Sequence, residues 1–394
     1  MENLLIVESP NKAKTIRQWL PKDKWNVFAS NGHIKNLPKQ QYSISLENNK
    51  VNAKWEILPE KKKLIEQLRE LISNSSKVYI GTDDDREGER IALDLIEHFK
   101  IKDYYRVLFH EITKENIVDS LKNGLYIDNN RTNSQKARRV IDRIIGYPIS
   151  SAIRDKFKKE KVATDEELKS FGIGRVTAAA INILVQNERR IQQFIPKKFK
   201  KIYISYIHEG LQFSVNNGMK FYEEHYEELG FLHTMTTNPE IDHVVEKYKQ
   251  DTRDAAPYPP LITSRILRNL NYLYHYETKK TEAILQKLFE GVEIYNEKEQ
   301  KMERVGLITY HRTDSFNISE KAIDEIRECL SERFEKEYIA DSKRVFKNKN
   351  ANAQEAHEAI RPTSFKKEFF PKNLRKTLSK EQFSDEEFLT YEFI

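Results

Sequence analysis

The sequence predicts a multidomain protein of mixed class, α/β followed by α+β. Three observations carry this expectation. The 394 residues exceed what one ordinary core holds. Up to residue 125, short apolar runs alternate with stretches of helical spacing, which is the pattern of a parallel, doubly wound sheet. Beyond it come two basic helical stretches, an aromatic alternating stretch and a proline-rich boundary. The expected domains are therefore 1–125 (parallel α/β), 126–195 (helical), 196–260 (β-rich) and 261–394 (mainly helical).

Taken in order, Leu4–Glu8 reads as a short apolar strand. Ser9 can cap a helix whose first residue, Pro10, has its φ already set for that position. Val27–Ser30 is a second strand and Pro59–Ile72 has helical apolar spacing. Lys77–Thr82 is a strand leading into a helix over Glu87–Phe99. Arg106–Ile112 is a further strand, after which Thr113 caps a helix. Arg131–Ile145 and Val176–Ile191 read as helices with basic and apolar faces. From Lys200 to Val245, aromatic and β-branched residues alternate, which predicts strands. The prolines of DAAPYPPL (254–261) mark a boundary, and Val305–Tyr310 is strand-like within the helical remainder.

Composition narrows the class. There is no run of 18 apolar residues, so no membrane span is expected. The N-terminal apolar run is only Leu4–Val7, with no basic segment before it, so no secretory leader is expected. Cys329 is the only cysteine, which excludes an internal disulfide and a cysteine-rich zinc ribbon in this chain. The net charge of +6 permits nucleic-acid binding without requiring it. A cytoplasmic location is expected.

The segment YIGTDDDREGER puts Asp83, Asp85 and Glu87 at the carboxyl end of a strand, where open parallel sheets collect ligands. Residues two apart in extended chain point the same way, so Asp83 and Asp85 can converge. Glu8 ends the first strand; if that strand lies beside Lys77–Thr82, all four carboxylates meet at one sheet edge. Clustered carboxylates repel and need a cation, and oxygen-only donors favour a hard ion, Mg²⁺ above all. VESPNKAKTI together with TDDDREGER resembles the Toprim domain of topoisomerases, bacterial primases and some nucleases. The resemblance implies Mg²⁺ at Glu8, Asp83, Asp85 and Glu87, and it places Lys12 near the scissile phosphate.

VGLITYHRTDSFNIS (305–319) narrows the reaction further. A tyrosine hydroxyl has a pKa near 10 and is a weak nucleophile unless a cation favours the phenolate. Arg312, two residues on, can do this and can clamp a pentavalent phosphate with its planar fork. GLITYHRTDS resembles the active-site motif of type IA DNA topoisomerases, with His311 where that family typically has Met. AQEAHEAIRPTS (353–364) resembles a second signature, which implies that His357 and Arg361 approach the cleaved phosphate or the DNA backbone. SNGHIKNLP (30–38) resembles the segment whose His33 contacts DNA. KARRVIDRIIGYPIS (136–150) is similar to the DNA-gripping helix, which implies that Arg138, Arg139, Asp142, Tyr147 and, further along, Arg154 face single-stranded DNA. Helical spacing independently puts Arg138 and Asp142 on one face. GIGRVTAAAINILVQNERRI (172–191) resembles another family segment, in which Gly174 and Arg175 match and Thr177 replaces the usual Gln.

What the resemblance implies is a Toprim domain followed by helical and β-arch segments of the type IA toroid, reached through residue 365 and then incomplete. The implied activity is ATP-independent, Mg²⁺-dependent cleavage of one strand through a 5′-phosphotyrosine at Tyr310, followed by strand passage and religation. Glu8 is the expected general acid, with Lys12 and Arg312 as phosphate clamps. The implied partners are the single-stranded region of underwound DNA and a second polypeptide that completes the ring, in a bacterial, nucleoid-associated setting. Two alternatives stand beside this. A truncated or split-gene remnant would bind single strands without relaxing DNA. A Toprim primase or nuclease would use the same acids without Tyr310.

Overall fold

The structure is a computed structural model; it describes residues 2–394 except 40, 49, 217–219, 245–246, 248, 254, 256, 297–298 and 347–356. The described chain divides into two compact units, Met1–Leu168 with Pro257–Ile394, and Lys169–Ala256.

The first unit begins with β1 (Asn3–Val7), α1 (Pro10–Arg17) and β2 (Trp25–Ala29). The α1 cap is the expected one, with the Lys12 N–H donating to Ser9 Oγ at 3.1 Å. Four short strands follow, β3 (Lys35–Asn36), β4 (Ile44–Glu47), β5 (Lys50–Ala53) and β6 (Glu56–Ile57), paired antiparallel as β3–β6 and β4–β5. Next come α2 (Lys62–Ser73), β7 (Lys77–Gly81), α3 (Arg86–Phe99), β8 (Tyr104–Arg106) and α4 (Lys114–Lys122). The sheet runs β2-β1-β7-β8, all parallel, as the alternation of strand and helix predicts. Val7 pairs with Gly81, so Glu8 and Asp83 leave the same sheet edge.

Alternation along the strands splits the core in two. Leu4, Ile6, Val78 and Ile80 pack with Leu68 of α2 and Ile91 and Leu95 of α3. Leu5, Val7 and Val27 face the other way, onto α1 and onto a set from the C-terminal third that includes Leu285, Leu288, Phe289 and Leu307. The segment that carries Tyr310 is therefore one wall of the sheet's second core.

The strand expected over Arg106–Ile112 is corrected: β8 ends at Arg106. The Arg106 side chain is buried and donates to Glu89 Oε2 at 2.8 Å and to the carbonyls of Ile80, Thr82, Asp83 and Val107. It fastens the chain to the end of β7, and residues beyond it leave the sheet to meet the tyrosine segment. A buried guanidinium needs this many acceptors, which is why a lone Arg in an apolar run ends the strand pattern.

α5 (Asn129–Lys159) is a single helix of 31 residues. It runs past Ile145, where the expected helix ends, and through Pro148; the missing N–H costs one rung, and helix-forming residues on both sides sustain the rest. α6 (Asp165–Ser170) follows. The second unit holds α7 (Arg175–Gln193), the hairpin β9 (Tyr203–His208) with β10 (Leu211–Asn216), and α8 (Tyr226–Thr237). The strands expected to continue to Val245 are corrected by α8, whose Leu229, Leu232 and Met235 recur three apart, the helical period. Part of that expected stretch (217–219 and 245) lies outside the described residues, as do 254 and 256 of the proline boundary.

The first unit resumes with α9 (Thr263–Tyr274), α10 (Thr278–Glu290), the antiparallel pair β11 (Val292–Asn296) and β12 (Lys301–Val305), α11 (Glu320–Ser331), α12 (Pro371–Thr377) and α13 (Asp385–Phe393). The strand expected over Val305–Tyr310 is instead the end of β12 followed by irregular chain with one isolated bridge, Ile308 to Pro362. That chain is held by backbone bonds from Gly306 to Ile112, from Tyr310 to His110 and from Thr309 to Arg361. Gly306 is needed there: a Cβ would stand 2.5 Å from the Phe289 carbonyl oxygen. Among the described residues no helix is long and apolar enough to cross a membrane.

Candidate active site around Tyr310

Tyr310 is buried, and its hydroxyl donates to Asp85 Oδ2 at 2.8 Å. Its ring meets Phe289 (5.3 Å between centroids) and His357 (5.6 Å), both edge-on. Arg312 Nη1 reaches the same Asp85 oxygen at 3.5 Å. The other Asp85 oxygen caps α3, accepting from the Gly88 N–H at 2.7 Å. One carboxylate thus joins the start of α3 to the tyrosine. Lys12, fully buried on α1, pairs with Asp83 and lies over the Phe289 ring. The Asp83 N–H points at Glu8 Oε2 at 3.4 Å. The structure brings together Tyr310, Arg312, Glu8, Lys12, Asp83, Asp85 and His357.

The first turn of α3 lies hard against the Asp83 backbone. A Cβ at Gly88 would stand 2.2 Å from the Asp83 carbonyl oxygen. Gly88→Ala should therefore push the helix start away and cost about 1–3 kcal/mol by overpacking. Urea unfolding measures this; an unchanged midpoint would mean the turn has room that the structure does not show.

Electrostatics follow from burial and crowding. Burial, then the charge of Asp83, raises the Glu8 carboxyl to about 7, so it holds a proton into the neutral range. Burial works against the charge of Asp83 too, but the Lys12 ammonium outweighs it and keeps Asp83 below the usual carboxylate range. Burial, followed by the charges of Asp83 and Asp85, pushes the Tyr310 hydroxyl far above its ordinary value. At rest Tyr310 is a neutral hydroxyl hydrogen-bonded to a carboxylate. His311 is buried and burial lowers its imidazole to about 3.

The expected metal ligands are all carboxylates, which suits a hard divalent ion in kind. Among the described residues, however, no three are gathered as ligands. Lys12 covers Asp83, Tyr310 covers Asp85, and Glu87 turns to His33 Nε2 at 3.1 Å. Glu87 and Asp94 raise His33 to about 9 against the opposing effect of burial.

The other expected residues lie around this centre. Arg361 pairs with Glu358 at 2.7 Å and Glu111 at 3.3 Å, and no described contact joins it to Tyr310. Residues 353–356 of its signature lie outside the described residues. Arg138, Arg139, Asp142, Tyr147 and Arg154 all lie on α5. Arg138 Nε stands 3.9 Å from Asp142, the i,i+4 pair the spacing predicts. Arg139 donates to Asn36 Oδ1 at 2.6 Å, which ties α5 to the His33 segment. Gly174 and Arg175 belong to the second unit, with Gly174 capping α7 and Arg175 its first residue.

Sequence reasoning missed Asp84. It is buried, and its carboxylate pairs with Arg131 Nη1 at 2.5 Å and His357 Nε2 at 3.4 Å, with His110 Nδ1 at 3.8 Å. Burial opposes its charge, but His357 and Arg131 hold it far below the usual range. A third Asp in the same triplet was the available signal.

Comparison with known proteins shows the family of the chain. The Toprim domain model matches residues 3–112 and the DNA topoisomerase model matches 126–394. DNA topoisomerase 1 of Campylobacter jejuni is 34% identical over 97% of this chain and 52% of its own length. That of Aquifex aeolicus is 36% identical over 93% of this chain and 62% of its own. The structure of full-length topoisomerase I from Thermotoga maritima superposes with a TM-score of 0.75 at 30% identity, covering 99% of this chain and 59% of that one. The chain thus spans about half to three-fifths of the length of these relatives. With both models matched in order, and the tyrosine seated on the acidic edge of the sheet, the chain belongs to the type IA DNA topoisomerase family.

Proposed function

We propose that this chain carries the strand-cleaving and rejoining chemistry of a type IA DNA topoisomerase, with Tyr310 as nucleophile. The observation that carries this is the hydrogen bond from Tyr310 to Asp85, which seats a tyrosine on the acidic cluster. A Toprim primase or nuclease has no use for that hydrogen bond.

In the proposed reaction the Tyr310 oxygen attacks a phosphodiester, the bond to the 3′-oxygen breaks, and a 5′-phosphotyrosine and a 3′-hydroxyl result. Asp85 stands where it can take the hydroxyl proton as the bond forms. Glu8, raised to about 7, can protonate the leaving 3′-oxygen. Arg312 and Lys12 offset the charge that develops on phosphorus. Rejoining reverses each transfer, so bond energy is kept and no nucleotide is consumed. Mg²⁺, held by Asp83 and Asp85 with Glu8 alongside, would supply a fixed divalent charge beside the phosphate. Calorimetric titration with Mg²⁺ should show a site in the native chain and none in Asp83→Asn with Asp85→Asn; identical isotherms would remove the metal from these acids.

Single-stranded DNA is the proposed substrate. Arg138, Arg139 and Arg154 on α5, with Arg175 on α7, would hold phosphates, and His33 and Tyr147 would add a cation and a stacking ring. Replacing Arg138 and Arg139 by Ala should weaken binding to an oligothymidylate and flatten its log–log salt dependence by about 1.4, roughly 0.7 for each phosphate left without its arginine. An unchanged slope in fluorescence anisotropy would move phosphate binding elsewhere. Because the chain spans only part of its relatives' length, strand passage is proposed to need a completing partner, such as a second polypeptide; cleavage is proposed for the residues here. A cytoplasmic, nucleoid-associated setting follows from that substrate.

The test is covalent capture. A single strand labelled at its 3′ end should stay on the protein in a denaturing gel, and the same strand labelled at its 5′ end should be released. Retention of the 5′ label would reverse the polarity, and retention of neither would refute the cleavage reading.

A further inference from the structure

We infer that Asp84 is a positioning residue for the cleavage centre, acting through His357. It fixes the imidazole as an Nε2–H donor against the Tyr310 ring and ties that imidazole to the start of helix α5. The inference rests on the proposed cleavage reading for its consequence, but its geometry stands alone.

Two acceptors face His357 Nε2, the Asp84 backbone oxygen and the Asp84 Oδ2 carboxylate oxygen at 3.4 Å. Neither a carbonyl nor a carboxylate oxygen donates, so whichever charge the ring bears, Nε2 carries a hydrogen. His357 Nδ1 is buried and has no hydrogen-bond partner among the described residues. The ring is therefore held from one end, and Asp84 supplies both attachments. His357 in turn packs edge-on against Tyr310, with the centroids 5.6 Å apart and the planes at 68°. Tilting it would remove one wall of the pocket that aims the tyrosine hydroxyl at Asp85.

The Asp84 carboxylate has a second attachment. Its Oδ1 accepts from Arg131, in the first turn of α5, and His110 lies 3.8 Å from Oδ2. The His110 carbonyl accepts the Tyr310 N–H at 2.8 Å. One buried carboxylate thus links α5, the loop that holds the tyrosine backbone, and the imidazole that holds its ring. Asp83 and Asp85 face the reacting atoms, while Asp84, between them, holds their surroundings. A carboxylate whose partners are one guanidinium and two histidines is not interchangeable with an amide. Asn could still accept from Arg131, but it would turn an N–H toward Nε2, a donor facing a donor.

The test reads the imidazole directly. Long-range ¹H–¹⁵N spectra of the full chain labelled at histidine should show His357 with its hydrogen on Nε2 and slow to exchange. In Asp84→Asn the Asp84 backbone oxygen still accepts, so the hydrogen should stay on Nε2 but exchange faster, with the carboxylate acceptor gone. A hydrogen on Nδ1 alone in the native chain would overturn the inference without any variant, as would an unchanged exchange rate of the Nε2–H in Asp84→Asn. The second arm is kinetic. Asp84→Asn should slow adduct formation about ten- to a hundredfold, the range expected for a small misplacement of a reacting group, while single-strand affinity stays the same. In a His357→Gln background the same substitution should add nothing. A full additional loss there would mean that Asp84 does not act through His357. If the native chain forms no adduct at all, the cleavage reading fails, and the spectra still decide the role of Asp84.

Discussion

Tyr310→Phe should abolish the covalent DNA adduct, with a loss of more than about 10³-fold, because no other group at this centre can take over as nucleophile. The substitution is a clean one here. The ring packing on Phe289 and His357 is made by carbon and remains possible for Phe. Only the hydroxyl is removed, and its one described hydrogen bond goes to Asp85 Oδ2. That oxygen keeps Arg312 Nη1 at 3.5 Å, so it is not orphaned. A net effect on stability of about 1 kcal/mol is therefore expected. The expected DNA-contacting residues of α5 are untouched, so single-strand affinity should persist. Denaturing gels with a 3′-labelled strand report the adduct and anisotropy reports binding. An adduct of undiminished yield in Tyr310→Phe would take Tyr310 out of the reaction, and loss of binding together with the adduct would show that the variant damages more than the hydroxyl.

Much of this centre is legible in the sequence because it follows from local rules. Strand–helix alternation predicts the parallel sheet; that β1 lies beside β7 is a condition the sequence leaves open, and the structure meets it, so Glu8 and Asp83 share an edge. Ser9 and Thr113 are readable as caps because capping depends only on neighbours. What is not legible depends on partners distant in sequence. Nothing near Arg106 announces that five acceptors wait for it, and so its strand reads as longer than it is. Asp84 looks like a spacer between two ligands, since its partners Arg131 and His357 lie 47 and 273 residues away. The helix α8 reads as strand because aromatic residues before it set the expectation, although its own apolar residues recur three apart. Glu87 belongs to the metal motif by spacing, yet it turns to His33, a choice set by tertiary packing.

Lys12→Met should be the most damaging substitution for the fold of the centre, and its cost should grow with pH. Lys12 and Asp83 are both buried and face each other. Removing the ammonium leaves a buried carboxylate beside Glu8 with only the weaker charge of Arg312 to offset it, and breaking a buried pair in this way costs about 3–5 kcal/mol. The sign of the pH dependence follows from Asp83. In the native chain its folded pKa lies below the unfolded value of 3.8, so it adds stability above that value and loses it only in strong acid. Without Lys12, burial should raise Asp83 above its unfolded value against the weaker opposing charge of Arg312, as burial and Asp83 already raise Glu8 to about 7. The folded variant then binds protons more tightly than the unfolded chain, and its stability falls as pH rises through the mildly acidic range. The gap between native and variant should be small near pH 5 and largest near pH 8. Urea unfolding at the two values measures it. Adduct formation should also drop by about 10² or more, because one fixed positive charge is lost beside the phosphate. A gap that is the same at both pH values would mean that Asp83 finds another cation in the variant, and that Lys12 is not what keeps it ionised.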